Sequence, residues 1–171
     1  TVFLDATPST AGLFDLTVSG QNYLPVETSI QTVNGSYVNF VGWLLNDSLG
    51  NNDSIANPSE DIFVCVAIKN NGNAASTNIQ LILRSNDSHA TILDSTESAG
   101  SLNIGDSVFI RNAFRVLTGD TTNGYGIGFD LEITDDARTL TYEPVMLIGT
   151  PVFRLDEVIT LNSILSRTRE F

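Results

Sequence analysis

Asp47-Ser48-Leu49-Gly50-Asn51-Asn52-Asp53-Ser54-Ile55-Ala56-Asn57-Pro58-Ser59-Glu60 decides how the rest of this chain is read. Oxygen-bearing side chains recur in it at Asp47, Asn51, Asp53, Asn57 and Glu60, between the apolar runs 41–45 and 62–68. Ca²⁺ takes about six to eight oxygens and accepts carboxylate, amide and backbone donors together, so this is the chemistry of a hard-cation loop. Counted back from Glu60 as the last position of an EF-hand loop, Asn51, Asp53, the Ile55 carbonyl and Asn57 fall at ligand positions. A true EF-hand is excluded, because Leu49 and Ser54 stand where that loop needs a carboxylate and a glycine. The flanks 37–43 and 62–66 are also β-branched and aromatic, which is strand chemistry rather than helix chemistry. The stretch therefore reads as a Ca²⁺-stiffened corner between two β-strands, with Asp47, Asn51, Asp53, Ile55, Asn57 and Glu60 as its ligands. The competing reading is a long polar turn, since Asn, Asp, Gly, Pro and Ser make turns without a metal.

Outward from the corner, Ile62-Phe63-Val64-Cys65-Val66-Ala67-Ile68 is followed by Lys69-Asn70-Asn71-Gly72-Asn73-Ala74. Together with Asp47, Gly50, Asn51, Asn52, Asp53, Asn57, Pro58 and Glu60, this resembles the calcium-binding immunoglobulin-like (CARDB-like) modules of secreted bacterial and archaeal surface proteins. In those modules a loop of the form D-x-N-G-N-N-D-G-x-x-N-P-G-E leads into a strand ending in K-N-x-G-x-A. Leu49, Ser54 and Ser59 depart from that form. The resemblance covers about residues 40–150. It implies a non-catalytic β-sandwich used as a spacer or adhesive unit on secreted enzymes, appendages and cell-surface fibres.

Composition agrees with a folded globule. The 171 residues are 42% hydrophobic, enough for one domain with a real core. Twenty acidic residues against eight basic ones give a net charge of −12, which repels nucleic acid and anionic membranes. It also opposes close packing of identical copies unless cations screen it. No apolar run approaches the length of a membrane span, so no membrane insertion is expected. The single Cys65 excludes an internal disulfide and reads as a small buried hydrophobe. Asn-x-Ser sequons at Asn34, Asn46, Asn52 and Asn86 are candidate glycan sites. The chain starts at Thr1 without a signal region, which suggests a processed protein or an excised domain.

Three parts are expected: an N-terminal arm of edge strands over 1–35, an immunoglobulin-like sandwich over 36–150, and a C-terminal docking tail over 151–171. Strands are read at 1–5, 13–18, 36–45, 61–69, 76–84, 90–94, 107–116, 124–134 and 139–149, with a loop over 97–106 and a bulge at Arg111-Asn112. Trp43 is read as core. Gly124, Gly126 and Gly128 share one face of a strand, opposite Tyr125, Ile127 and Phe129, and no helix follows them, so they are not a nucleotide fingerprint. Their bare face invites Trp43, a Phe, or a strand from another copy. The tail residues 151–171 fit neither helix nor strand period cleanly, but are too apolar to float free.

Catalytic groupings are sparse. His89 reads as a surface turn residue, and Asp135-Asp136 and Asp156-Glu157 as solvated faces. The sequence as a whole reads as an all-β, immunoglobulin-like sandwich of about seven to nine antiparallel strands, outside the cell or on its surface, and not an enzyme. Its expected role is that of a structural subunit of a filament or appendage, assembling as a homopolymer by strand addition from 1–18 and 152–171. The alternative is an accessory or adhesion module of a larger secreted hydrolase.

Overall fold

The computed structural model describes residues 11–32 and 34–150. They form an all-β sandwich preceded by a hairpin. The hairpin is β1 (Gly12–Val18) and β2 (Val26–Thr32), antiparallel and a sheet of its own. One sandwich sheet has the order β3-β4-β8-β6, from Val38–Asn46, Asp61–Asn70, Ser107–Thr118 and Ala90–Asp94. The other has the order β11-β10-β5-β7, from Thr139–Tyr142, Asp130–Thr134, Ser76–Arg84 and Thr96–Leu102. A two-stranded sheet of β12 (Val145–Leu147) and β9 (Gly126–Gly128) completes it.

Alternation builds the core. In β4, Ile62, Val64, Val66 and Ile68 point inward and are fully buried, against Ile79, Leu81 and Leu83 of β5 and Leu131 and Ile133 of β10 in one cluster. Side chains of this size each contribute roughly 1.5–3 kcal/mol when removed from water. Trp43 joins that core as expected, edge-on to Phe129 at 5.6 Å and to Phe40 at 6.3 Å. Cys65 is buried too.

The structure adds two strands that the sequence reading did not include. Thr96–Leu102 is β7 rather than a loop, because the polar, small-residue run finds hydrogen bonds along β5. Val26–Thr32 pairs with β1 over its whole length. The expected 124–134 strand is interrupted at Phe129, and 139–149 at Glu143-Pro144, where Pro144 has no N–H to donate. The bulge falls where read: the β4–β8 register shifts between Val64 and Val66, and Asn112 takes a φ of 53°. The expected strand 1–5 and the docking tail 151–171 lie outside the described residues.

The glycine face differs from expectation in its partner. Ile127 and Phe129 are buried on one side as read. On the other, Gly126 pairs with Leu147 and Gly128 with Val145, and a Cβ on Gly126 would meet Val145 Cγ1 at 3.0 Å. At Gly126 the Val145 side chain of β12, not Trp43, takes that space, whereas a Cβ on Gly128 would meet nothing within 4 Å.

Candidate metal centre

The sandwich has two poles. At one, β3 begins at Val38 beside the Asn71–Asn73 turn, and the hairpin joins it there through Asn34 and Gly35, which bond Asn73. At the other, β3 ends at Asn46 and β4 starts at Asp61, so residues 47–60 form the corner between them. Nine residues of β3 separate the poles, roughly 27 Å of strand.

The corner is held from inside by its two buried carboxylates. Asp47 is 2% exposed and Glu60 7%. Asp47 Oδ2 accepts the backbone N–H of Asp53 (2.7 Å) and of Ser54 (3.1 Å). Glu60 accepts the N–H of Asn51 on Oε1 (3.1 Å) and of Asn57 on Oε2 (2.8 Å). Buried carboxylates normally need partners of this kind, and here four loop amides supply them. Gly50 makes room: a Cβ there would overlap the Glu60 carboxylate. Thr118 of β8 secures the base, accepting the Glu60 N–H (2.8 Å) and donating to the Asn57 carbonyl (2.6 Å). Gly149 adds a bond to the Ala56 carbonyl (2.6 Å).

A second, exposed set sits on top. Asp53 accepts from Asn51 Nδ2 (2.9 Å), from Asn57 Nδ2 (3.4 Å to each oxygen) and from the Ile55 N–H (2.9 Å), while Asn57 Nδ2 also donates to the Ile55 carbonyl (3.1 Å). The Ile55 N–H, with the two amides, holds the Asp53 carboxyl below the usual range. The six residues read from sequence are thus brought together, but in two layers. Asp47 and Glu60 fasten the backbone, while Asn51 and Asp53 are exposed and Ile55 and Asn57 half-buried beside them.

The donor chemistry of the outer layer suits a hard cation: one carboxylate, two amides and a carbonyl. Ligation requires the two Asn side chains to present oxygen where they now present nitrogen, and turning Asn51 gives up the bond that its Oδ1 accepts from the Asp53 N–H at 3.1 Å. A cation held there by a single carboxylate would be bound weakly, with a Kd of about 10⁻⁴–10⁻³ M for Ca²⁺. Among the described residues no group of three or more His, Cys, Asp or Glu converges.

Ser54 and Ser59 stand where the resembled loop has glycine. Both adopt left-handed backbone, φ 65° and 58°, as does Asn52 at 60°. Those are conformations in which glycine costs nothing and serine is strained.

Asp135 differs from its reading, and the hydrogen-bond networks around Asn70 and His89 add to theirs. Asp135, expected to be solvated, is 8% exposed. Burial pushes its carboxyl up, but bonds from Ser36, Ser76 and the amides of Ala137 and Arg138 outweigh this and hold it low. Asn70, fully buried, uses its whole amide: Oδ1 accepts from Tyr37 and Gly72, and Nδ2 donates to Ala74 and Leu102. The K-N-x-G segment is therefore a turn fastener. His89 is half-buried, its Nδ1 3.1 Å from Asp87 Oδ1 and its ring against Tyr125, whose hydroxyl donates to Asp87 at 2.9 Å.

Of the sequons, Asn34, Asn52 and Asn86 are exposed, whereas Asn46 is half-buried with its amide donating to Asn112 at 2.8 Å. Among the described residues no helix is long and apolar enough to cross a membrane. The chain matches no family model, and no curated protein matches it.

Proposed function

We propose that the chain is a structural, non-catalytic unit of an extracellular filament or cell-surface appendage. It is an immunoglobulin-like module that associates with further copies through its N-terminal hairpin and is stiffened by Ca²⁺ at the corner. The observation that carries this reading is the hairpin. The β1–β2 register puts Phe14 opposite Ile30, Leu16 opposite Thr28 and Val18 opposite Val26 on one face, with Asp15 and Thr17 opposite Ser29 and Glu27 on the other, where Leu13 is the one apolar residue of β1. The apolar face is open: Val26 is 64% exposed, and Leu24 at the tip 89%. A two-stranded sheet is marginal by itself in water, so an amphipathic one with a bare apolar face calls for a cover. Among the described residues the outer strand β3, Val38–Asn46, has a strand partner on one side only, which leaves the other side of its sheet open to strand addition.

Electron micrographs of the purified chain in Ca²⁺ test this. Fibres or short rods are expected, and they should vanish with Phe14→Asp while the Trp43 fluorescence of the folded sandwich stays. Monodisperse single particles at all concentrations would instead favour a second reading, an accessory module within a larger secreted hydrolase. That reading draws on one specific feature: the hairpin and the end of β12, beside Ala56, lie at opposite poles, as in a chain of beads.

A further inference from the structure

The four Asn-x-Ser sequons share a sequence pattern but not an environment. N-glycosylation joins the side-chain nitrogen Nδ2 to the anomeric carbon of a sugar carried on a lipid-linked phosphate. The N–C bond forms, the bond from that carbon to the phosphate oxygen breaks, the phosphate leaves with the electron pair, and the amide gives up one proton. The hydroxyl two residues on is part of what is recognised. A folded chain therefore takes a sugar where both groups reach solvent, and the bulky product fits only on the surface.

Two sequons fail this condition. Asn46 is half-buried with both ends of its amide in use, Nδ2 donating to Asn112 Oδ1 at 2.8 Å and Oδ1 accepting the Ser48 N–H at 3.2 Å. Asn34 is exposed, but its Ser36 is buried and donates its hydroxyl to the Asp135 carboxylate.

The other two meet it. Asn52 and Ser54 are exposed, and among the described residues neither side chain makes a hydrogen bond. The backbone beneath them is pinned, because Asp47 Oδ2 accepts the N–H of Asp53 and of Ser54. Asn86 and Ser88 are likewise exposed with unbonded side chains. They flank Asp87, whose carboxylate accepts the His89 N–H and the Tyr125 hydroxyl, each at 2.9 Å. Asn86 also borders a depression of about 420 Å³ with Gly128, Asp130, Glu143 and Val145, and a Cβ on Gly128 would meet nothing within 4 Å. Both turns lie at the corner pole: Gly119 accepts the Ser59 N–H at 3.1 Å and donates to the His89 carbonyl at 2.6 Å.

Resting on the reading of the chain as an extracellular unit, we propose that Asn52 and Asn86 carry N-linked sugars and that Asn34 and Asn46 do not. The first sugar on Asn86 lies over Gly128, where the depression lined by Asp130 and Glu143 offers acceptors for its hydroxyls. Asn52 is not one of the six corner residues with cation-ligand chemistry, so a sugar there takes none of them away. Both sugars clothe the corner pole and leave the hairpin pole bare.

Mass-spectrometric peptide mapping of the full chain tests the proposal, on protein isolated from the cells that make it and split into an outer fraction, medium and surface, and an inner one. Sugar is expected in the outer fraction on the peptides holding Asn52 and Asn86, and none on those holding Asn34 and Asn46. Asn86→Gln and Ser88→Ala should each lose the sugar at Asn86 alone, and Asn52→Gln that at Asn52 alone. Asn46→Gln should lose none, and Trp43 emission checks the fold of each variant. An outer chain bare at Asn52 or Asn86, or one with sugar on Asn34 or Asn46, would overturn the assignment and leave the functional reading standing. A chain found only in the inner fraction would remove the extracellular reading and the proposal with it.

Discussion

The two poles of the sandwich solve opposite problems. At the 47–60 corner, polar groups dominate and every strongly buried one has a partner, so the loop is closed upon itself by Asp47 and Glu60. At the hairpin, apolar groups dominate and lack cover. A segment whose needs are met internally contributes rigidity, and one whose needs are unmet contributes association.

The comparison breaks most sharply at Glu60. Glu60→Ala leaves the amides of Asn51 and Asn57 without acceptors and should lower stability by about 3 kcal/mol in denaturant titration. The same variant should assemble like the natural chain wherever it is folded, whereas Phe14→Asp should do the reverse, leaving the melting temperature of the sandwich unmoved. If Glu60→Ala melts like the natural chain, the corner is not fastened from within.

Acid gives the next effect. The Asp135 carboxyl is lowered in the folded chain, since its four hydrogen bonds outweigh burial. Its contribution is therefore complete above the unfolded value, about 3.9, and is lost as pH falls through the lower folded value. Melting temperature should drop below about pH 4 in the natural chain and fall less steeply in Asp135→Asn, which starts from a lower plateau. Parallel profiles would contradict the role given to Asp135.

Calcium comes third. For a weak site, 10 mM Ca²⁺ should raise the melting temperature by roughly 3–10 °C over chelator. Asp53→Ala should erase that shift while lowering the melt in chelator far less than Glu60→Ala does, because Asp53 is exposed. A Ca²⁺ shift that survives in Asp53→Ala would move the ligands to Asp47 and Glu60. The smallest effect belongs to Ser54→Gly with Ser59→Gly: release from left-handed strain, partly offset by the freedom glycine gains when unfolded, should raise the melt by about 1–3 °C.

The sequence made strands with clear apolar alternation legible. β4 and β5 fall almost where read, and Trp43 is core, because these depend on side-chain period alone. β7 was not legible, since Thr96–Leu102 is small and polar and becomes a strand only through its neighbour. The corner's residues were legible as a group, but not their division into two layers. Asp47 and Asp53 are chemically identical in the sequence; burial alone makes one a fastener and the other a surface group. Asp135 escaped for the same reason, as its partners Ser36 and Ser76 lie far away along the chain. The hairpin's open apolar face needed the β1–β2 register before it could be seen.

Sedimentation equilibrium of the full chain, from about 1 µM to about 1 mM, tests most directly whether the uncovered hairpin makes this molecule a self-associating unit. The weight-average mass should climb from 18.4 kDa through dimer and beyond as concentration rises, and Phe14→Asp should hold it at 18.4 kDa. A mass that stays at 18.4 kDa over the whole range for the natural chain would contradict the account.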